Sequence, residues 1–498
     1  MRKSKRWIKK TVGAYLKKKG LPPDIAVTFK NVTIPDRYSR IPTRYTLQEK
    51  MPSSTRTRVA QDIYLNIPIT SANMDTVTES QMAIAMARLG GLGFIHQFLP
   101  IEKRAKEIEL VKRADSGVIE QPLMAKQNIT LGGAKTLMAS YKISSLLVTD
   151  STGERLIGIL SHRDYAFETD NTKPIGKLMT KKNLITAHPE TTTEQARQIL
   201  KKHRIEKLPL IDADGKIAGL ITSKDIEKAE HFLKAARDAK GRLIVGGTVG
   251  ITGNFLGEIE KLLIAEADII LVDTARGNSK RMVDTLRTIR RRFGKKLPLV
   301  AGNIDTPDGC IRLIEAGADC VKVGIGGGSA CKTREGPGIG IPQLSAIAEC
   351  FAVSRHYDIP IIGDGGITTS SDLSKALVAG AAAVMLGGIL AGTQETPGRS
   401  FYEDGKRWKI FRGSASVEFQ MSRIDREDHQ GLIRAPEGVP KRVEPKGEVQ
   451  EVIEELMGHL YSAMSYVDAE SLDELQEKAF FRHQTSSGYE EGKPHDVF

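Results

Sequence analysis

The feature that most limits how this chain can fold is a series of short, nearly unbroken apolar runs separated by stretches of helical pattern. They read Ile67-Pro68-Ile69, Gly91-Leu92-Gly93-Phe94-Ile95, Leu243-Ile244-Val245, Asp268-Ile269-Ile270-Leu271-Val272, Leu299-Val300-Ala301, Cys320-Val321-Lys322-Val323, Ile359-Pro360-Ile361-Ile362 and Ala383-Val384-Met385-Leu386. A strand buried on both faces carries such a run because neither face meets water. Eight of them alternating with helices predict an α/β fold, the (β/α)8 TIM barrel. A long insert separates the second run from the third. The predicted division is a basic arm at 1–24, a first part of the barrel at 25–117, an insert at 118–228 and the second part of the barrel at 229–498. A chain of 498 residues can supply a core to both barrel and insert.

Composition narrows the class. With 40% apolar and 27% charged residues the chain reads as globular, and no apolar stretch is long enough to cross a bilayer. The net charge of +12 is concentrated in Arg2, Lys3, Lys5, Arg6, Lys9, Lys10, Lys17, Lys18 and Lys19, so no nucleic-acid partner is expected for the remainder. Trp7, Ile8, Val12, Tyr15 and Leu16 are interleaved with these cations. That pattern is compatible with a membrane-surface helix, a nucleic-acid contact or a targeting peptide, and a mobile, solvated terminus is the expectation preferred here. The four cysteines, Cys310, Cys320, Cys331 and Cys350, lack CxxC spacing and follow no signal-peptide pattern. Reduced thiols and a cytoplasmic location are expected.

The insert contains a repeat. Leu146-Leu147-Val148-Thr149-Asp150, Gly153 and Leu156-Ile157-Gly158-Ile159-Leu160-Ser161-His162-Arg163-Asp164 return as Leu208-Pro209-Leu210-Ile211-Asp212, Gly215 and Ile217-Ala218-Gly219-Leu220-Ile221-Thr222-Ser223-Lys224-Asp225. Each copy is strand, turn, strand, helix start, preceded by a helical pattern. The pair resembles tandem cystathionine β-synthase (CBS) modules. That resemblance implies binding of adenine or guanine nucleotides, with Asp164 and Asp225 on the ribose. A hydroxyl and an acid at those points would equally serve as a helix cap.

In a (β/α)8 barrel the loops at the carboxyl ends of the strands build the site. There the sequence places Met74 and Asp75, Asp273 to Ser279, Gly302-Asn303, the loop around Cys331, Asp364-Gly365-Gly366 and Gly387-Gly388. Cys331 lies in Gly324-Ile325-Gly326-Gly327-Gly328-Ser329-Ala330-Cys331-Lys332-Thr333-Arg334, a pliable mount for a thiol. Taken alone it is as readily a packed spacer as a nucleophile. The uncovered amides of Gly365-Gly366 and Gly387-Gly388 suit a phosphate, and Asp364 and Asp273 each suit a pair of ribose hydroxyls. One such acid would be an ordinary Asx turn; two in different loops, with a thiol between, point to two nucleotides, a substrate and a cofactor. No GxGxxG stands in a βαβ setting, so a nicotinamide cofactor would not lie on a Rossmann domain.

Gly326-Gly327-Gly328-Ser329-Ala330-Cys331-Lys332-Thr333-Arg334, Asn73-Met74-Asp75-Thr76-Val77-Thr78-Glu79, Asp364-Gly365-Gly366-Ile367, Ala391-Gly392-Thr393-Gln394-Glu395-Thr396-Pro397-Gly398 and Pro494-His495-Asp496-Val497 resemble the IMP dehydrogenase and GMP reductase family, over nearly the whole chain. The resemblance implies a cysteine that adds to C2 of a purine nucleotide so that hydride can pass to a nicotinamide. It makes Cys331 the nucleophile, with Thr333 and Glu395 in proton transfer and Arg426 as water activator. Met74, Ser329, Asp364, Gly366, Gly387, Gly388, Phe411 and Glu437 would hold substrate, and Asp273, Thr274, Asn278, Gly324 and Gly326 the cofactor, NAD or, for a reductase, NADPH. It further implies K+ on the carbonyls of Gly326, Gly328 and Cys331, completed by Glu491, Gly492 and Lys493 of a neighbouring subunit in a homotetramer.

Within that family, dehydrogenases activate water with an Arg-Tyr pair, whereas this chain has Arg426 followed by Glu427. Asn73, Gly388, Phe411, Ser414, Ala415 and Arg434-Ala435-Pro436-Glu437-Gly438 also lean toward reductases. The CBS pair, Thr78-Glu79, the run Gly90 to His96 and the Pro-His-Asp-Val tail lean toward dehydrogenases. The expected activity is NAD-dependent oxidation of IMP to XMP through a thioimidate, with reductive deamination of GMP to IMP as the alternative. A silent nucleotide sensor, with the barrel as scaffold, stands third.

Overall fold

The computed structural model describes residues 4–114, 119, 122–223, 226, 232–413 and 438–494. The chain divides into two compact units, one of Met1–Val111, Lys234–Asp238 and Ile244–Phe498, the other of Lys112–Leu233 and Ala239–Leu243.

The first unit is a closed parallel barrel. Its strands are β1 (Ile69–Ser71), β2 (Leu92–Ile95), β3 (Gly246–Val249), β4 (Ile269–Asp273), β5 (Leu299–Ile304), β6 (Cys320–Val323), β7 (Ile361–Asp364) and β8 (Ala383–Leu386). Each pairs with its sequence neighbour, and β8 closes on β1 with Met385 opposite Thr70. Three strands, β1, β3 and β7, start two or more residues later than the sequence expectation, β7 at Ile361 just past Pro360. Pro68 lacks an N–H, so the ladder of β1 begins after it, with the Pro68 carbonyl accepting from Val384 N at 2.9 Å. The third strand is Gly246–Val249 rather than 243–245, because glycines dilute its apolar signal. A Cβ at Gly246 would stand 2.3 Å from Cδ1 of Phe94, so only glycine lets β2 and β3 approach there.

Several of the helices start where a side chain satisfies a first-turn amide. α1 (Ser80–Arg88), α2 (Ile101–Arg113) and α3 (Phe255–Ile264) follow β1 to β3. α4 (Lys280–Phe293) is capped by Ser279 Oγ, which accepts from Met282 N, and buries Met282, Thr285, Leu286 and Ile289 at helical spacing against the barrel. α5 (Pro307–Glu315) has a Thr306 cap and proline in its first turn. α6 (Gln343–Ser354) follows β6, and α7 (Ser370–Val378) opens on a Thr369/Asp372 capping box. α8 (Val449–Tyr466) packs on α7.

The basic arm corrects the expectation of a mobile terminus. Lys5–Lys18 is a helix that packs on α6, with Tyr15 and Leu16 buried and the Tyr15 hydroxyl donating to the Ala379 carbonyl at 3.0 Å. The interleaved apolar residues are its docking face. Lys19, only 2% exposed, donates to the carbonyls of Gln476 and Ala479.

The second unit holds two small cores. One gathers Ala134, Met138, Leu146, Val148 and Leu160 under a three-stranded sheet, the other Ala196, Leu200, Leu208, Leu210 and Ile221. Asp164 accepts from Ser161 N at 2.6 Å, Ser161 Oγ at 2.7 Å and Thr180 Oγ1 at 2.7 Å, a helix cap with both oxygens engaged. Asp225 lies outside the described residues. Among those described, no helix is long and apolar enough to cross a membrane.

Candidate active site

The carboxyl ends of the strands open onto a cavity of about 560 Å3, within the range of small-molecule sites. It is lined by Met74, Asp273, Thr274, Asn303, Lys322, Gly324, Gly326, Gly328, Ser329, Cys331, Thr333, Asp364, Gly366, Gly387, Gly388 and Phe411, among others. Local bonds explain how the loops hold their side chains there. After β1, Val77 N and Thr78 N both donate to the Met74 carbonyl at 3.0 Å, and Arg412 reaches across to Asp75, with Nε 2.9 Å from Oδ2. After β6, Arg334 donates to the carbonyls of Ile325 and Ile341 and so closes the base of the Cys331 loop. Gly324 opens that loop at φ +148, where a Cβ would meet the Asp364 carbonyl at 1.9 Å.

At the tip of the loop Cys331 Sγ lies 3.1 Å from Thr333 Oγ1. Cys331 is the exposed cysteine, while Cys310, Cys320 and Cys350 are buried. Burial pushes the Cys320 and Cys350 thiols up, which fits them for packing rather than attack. Position separates it from the other three: only this thiol of the four lines the cavity.

The cavity floor is an ionic cluster. Lys322, 3% exposed, places Nζ 2.9 Å from Asp273 Oδ1 and 2.6 Å from Asp364 Oδ2. Burial by itself would pull this ammonium down, but the two carboxylates outweigh it and its pKa is raised. Asn303 Nδ2 donates to Asp364 Oδ2 at 2.9 Å and to the Gly324 carbonyl at 2.7 Å. The acids read as separate ribose receptors are therefore held by one shared cation. Lys322 was visible in the sequence only as the charged residue inside an apolar run, and Asn303 only as a polar residue after β5.

Other expected residues fall elsewhere. Both oxygens of Glu395 accept from Val449 N, at 2.9 and 3.1 Å, so it caps α8 and does not line the cavity. A carboxylate is drawn to exposed helix amides, and that attraction fixes it here. Asn278 sits beside Gly309, away from the cavity lining. Glu491, Gly492 and Lys493 end a helix that packs near Phe29–Asn31 and do not line this chain's cavity. Arg426, Glu427 and Glu437 lie outside the described residues. The rim carries two cations that sequence reasoning missed, Lys441 and Lys446. Lys446 Nζ donates to the Ile389 carbonyl at 2.8 Å, and burial lowers its pKa.

The donor sets fit the implied groups. Asp273 and Thr274 share the cavity with Cys331, so a dinucleotide held by them would have its reactive ring in the thiol's compartment. The carbonyls of Gly326, Gly328 and Cys331 are hard oxygen donors on one loop; that of Gly328 accepts from Cys331 N at 3.0 Å, leaving its second lone pair.

Fold and site together define a (β/α)8-barrel protein with a cavity-facing thiol above a carboxylate-lysine-carboxylate floor. Comparison with known proteins narrows that class. Residues 26–495 match the model of the IMP dehydrogenase / GMP reductase domain. Inosine-5'-monophosphate dehydrogenase of Aquifex aeolicus is 46% identical over 476 residues, 95% of either chain, and that of Bacillus subtilis is 44% identical over 88% of this chain and 90% of its own. A solved GMP reductase from Trypanosoma brucei, in complex with guanosine 5'-monophosphate, superposes with a TM-score of 0.87 at 35% identity, covering 97% of this chain and 100% of its own. The chain belongs to the IMP dehydrogenase / GMP reductase family.

Proposed function

We propose that this chain is a purine nucleotide oxidoreductase that oxidises IMP to XMP with NAD. The observation that carries the reading is the Cys331 thiol, 3.1 Å from a hydroxyl and facing the cavity that Asp364 and Gly387-Gly388 also line, in a chain 46% identical to an IMP dehydrogenase. Asp364 would receive the ribose hydroxyls, and the amides around Gly366, Gly387 and Gly388, with Ser329, the phosphate. The Cys331 sulfur would then bond to C2 of the base as the C2–N3 π bond opens onto N3, the thiol proton passing by way of the Thr333 hydroxyl to N3. The hydrogen on C2 leaves with its electron pair, and bound NAD supplies the acceptor for that hydride. Water, activated by Arg426, adds to the resulting thioimidate, the C–S bond breaks, and XMP departs as the thiol regains a proton.

K+ on the Gly326, Gly328 and Cys331 carbonyls, with Glu491, Gly492 and Lys493 from a second copy, would steady the loop and require a homo-oligomer, a tetramer in this reading. The repeated unit is read as a CBS pair taking adenine or guanine nucleotides near Asp164 and Asp225. The location is cytoplasmic in the same reading.

A second reading, NADPH-dependent conversion of GMP to IMP with release of ammonia, is favoured by Glu427 beside Arg426 and by the likeness to a solved GMP reductase. One experiment separates them. Absorbance at the reduced-nicotinamide band should grow with IMP and NAD. Loss of that absorbance with GMP and NADPH, and no growth with IMP and NAD, would replace the first reading by the second.

A further inference from the structure

Beyond the floor and the thiol, the cavity has a cation with no assigned task. Lys441 stands on the strand Pro440–Val443, directly opposite Phe411 in the antiparallel pairing with Lys406–Arg412. Residues directly opposite in such a pair share a face of the sheet, with Cβ atoms about 5 Å apart. Phe411 is buried and lines the cavity beside Gly387 and Gly388, and Lys441 lines it too. The next cation on that strand, Arg442, pairs instead with Glu403 at 2.7 Å. The Lys441 ammonium has neither ion pair nor hydrogen bond among the described residues.

The surroundings say what it could meet. The phenyl ring of Phe411 offers no donor, and the glycine loops beside it offer amides and no charge. A phosphomonoester carries close to two negative charges at neutral pH and needs donors with charge. Lys446, the other rim cation, gives one of its three donors to the Ile389 carbonyl, and burial lowers its pKa. The floor, with Asp273, Asp364 and Lys322, leans negative and suits sugar hydroxyls, while the rim leans positive. We infer that Lys441 supplies the charged donor for the 5'-phosphate of the nucleotide substrate and so selects nucleoside monophosphates over nucleosides. The inference rests on the proposed function and names a residue within that site.

The test compares binding of IMP and of inosine to the full chain by calorimetry, for the unaltered protein, Lys441→Gln, Lys441→Arg and the exposed hairpin control Lys406→Gln. Losing a charge-assisted bond should weaken IMP by about tenfold to a hundredfold in Lys441→Gln and leave inosine unchanged. Lys441→Arg should recover most of the loss, and Lys406→Gln should behave as the unaltered chain. IMP affinity unchanged in Lys441→Gln, or IMP and inosine weakened equally, would overturn the role of Lys441 while leaving the oxidoreductase reading intact. An unaltered chain that bound neither IMP nor GMP would overturn both.

Discussion

At the scale of single residues, the site turns on two side chains of opposite visibility. Cys331 stood out in the sequence because a thiol in a glycine loop is rare chemistry in a pliable setting. Lys322 did not, because a strand run that is otherwise apolar reads as core, and nothing in the sequence says that two acids from other strands converge on its ammonium. Cys331→Ala should retain nucleotide binding yet give no covalent adduct and no hydride transfer; turnover in that variant would discard the thiol mechanism. Lys322→Met should do more harm than a surface change. It leaves Asp273 and Asp364 facing each other without their cation, a loss of about 3–5 kcal/mol for a broken buried pair, read by urea denaturation, together with a raised KM. A variant as stable as the parent would show that water replaces the lysine.

At the scale of elements, the eight-strand count was legible because buried parallel strands must be apolar on both faces. It slipped by a few residues where Pro68, Pro360 and Gly246-Gly247 interrupt the pattern that the count relied on. The amino-terminal helix was misjudged for a related reason. Its charges dominate the composition, whereas its fold depends on Tyr15 and Leu16 finding a surface on α6 that only the folded barrel provides. Lys19, at its end, has its pKa lowered to about 8, first by burial and then by Lys18 and Arg355. Between about pH 8 and the ordinary lysine value near 10.5 the unfolded chain holds more protons than the folded one, so this group's contribution to stability rises with pH across that window. Thermal melts of the parent and Lys19→Met should therefore diverge in the parent's favour as pH is raised through it; a constant gap would place the lysine in water. The placement of Glu395 was not legible at this scale either, since the start of α8, whose Val449 N it accepts from, is set by tertiary packing that no local motif announces.

At the scale of the whole molecule, the two compact units each carry their own core, which predicts separable folding. Replacing 112–233 by a short flexible linker should leave the barrel's cooperative melt in place and keep hydride transfer measurable; loss of both would mean that the units fold as one. In the sequence this stretch shows as a repeat inside an interrupted strand count, with bounds of 118–228 where the second unit spans Lys112–Leu233 and Ala239–Leu243. What the repeat binds was not legible, since Asp164 is consumed by its own helix cap.

The shared ammonium at the cavity floor has a consequence for the order of events. Asp364 and Asp273 belong to different ligands in the proposed reading, yet Lys322 holds both within 2.9 Å. A ligand that draws one carboxylate away from the lysine strengthens its grip on the other, so the nucleotide and the dinucleotide cannot bind as strangers. Thermodynamic reciprocity then requires that each change the other's affinity by the same factor, and titrating either one in the presence of its fellow would expose a ternary complex with cooperativity written into a single salt-bridged triad.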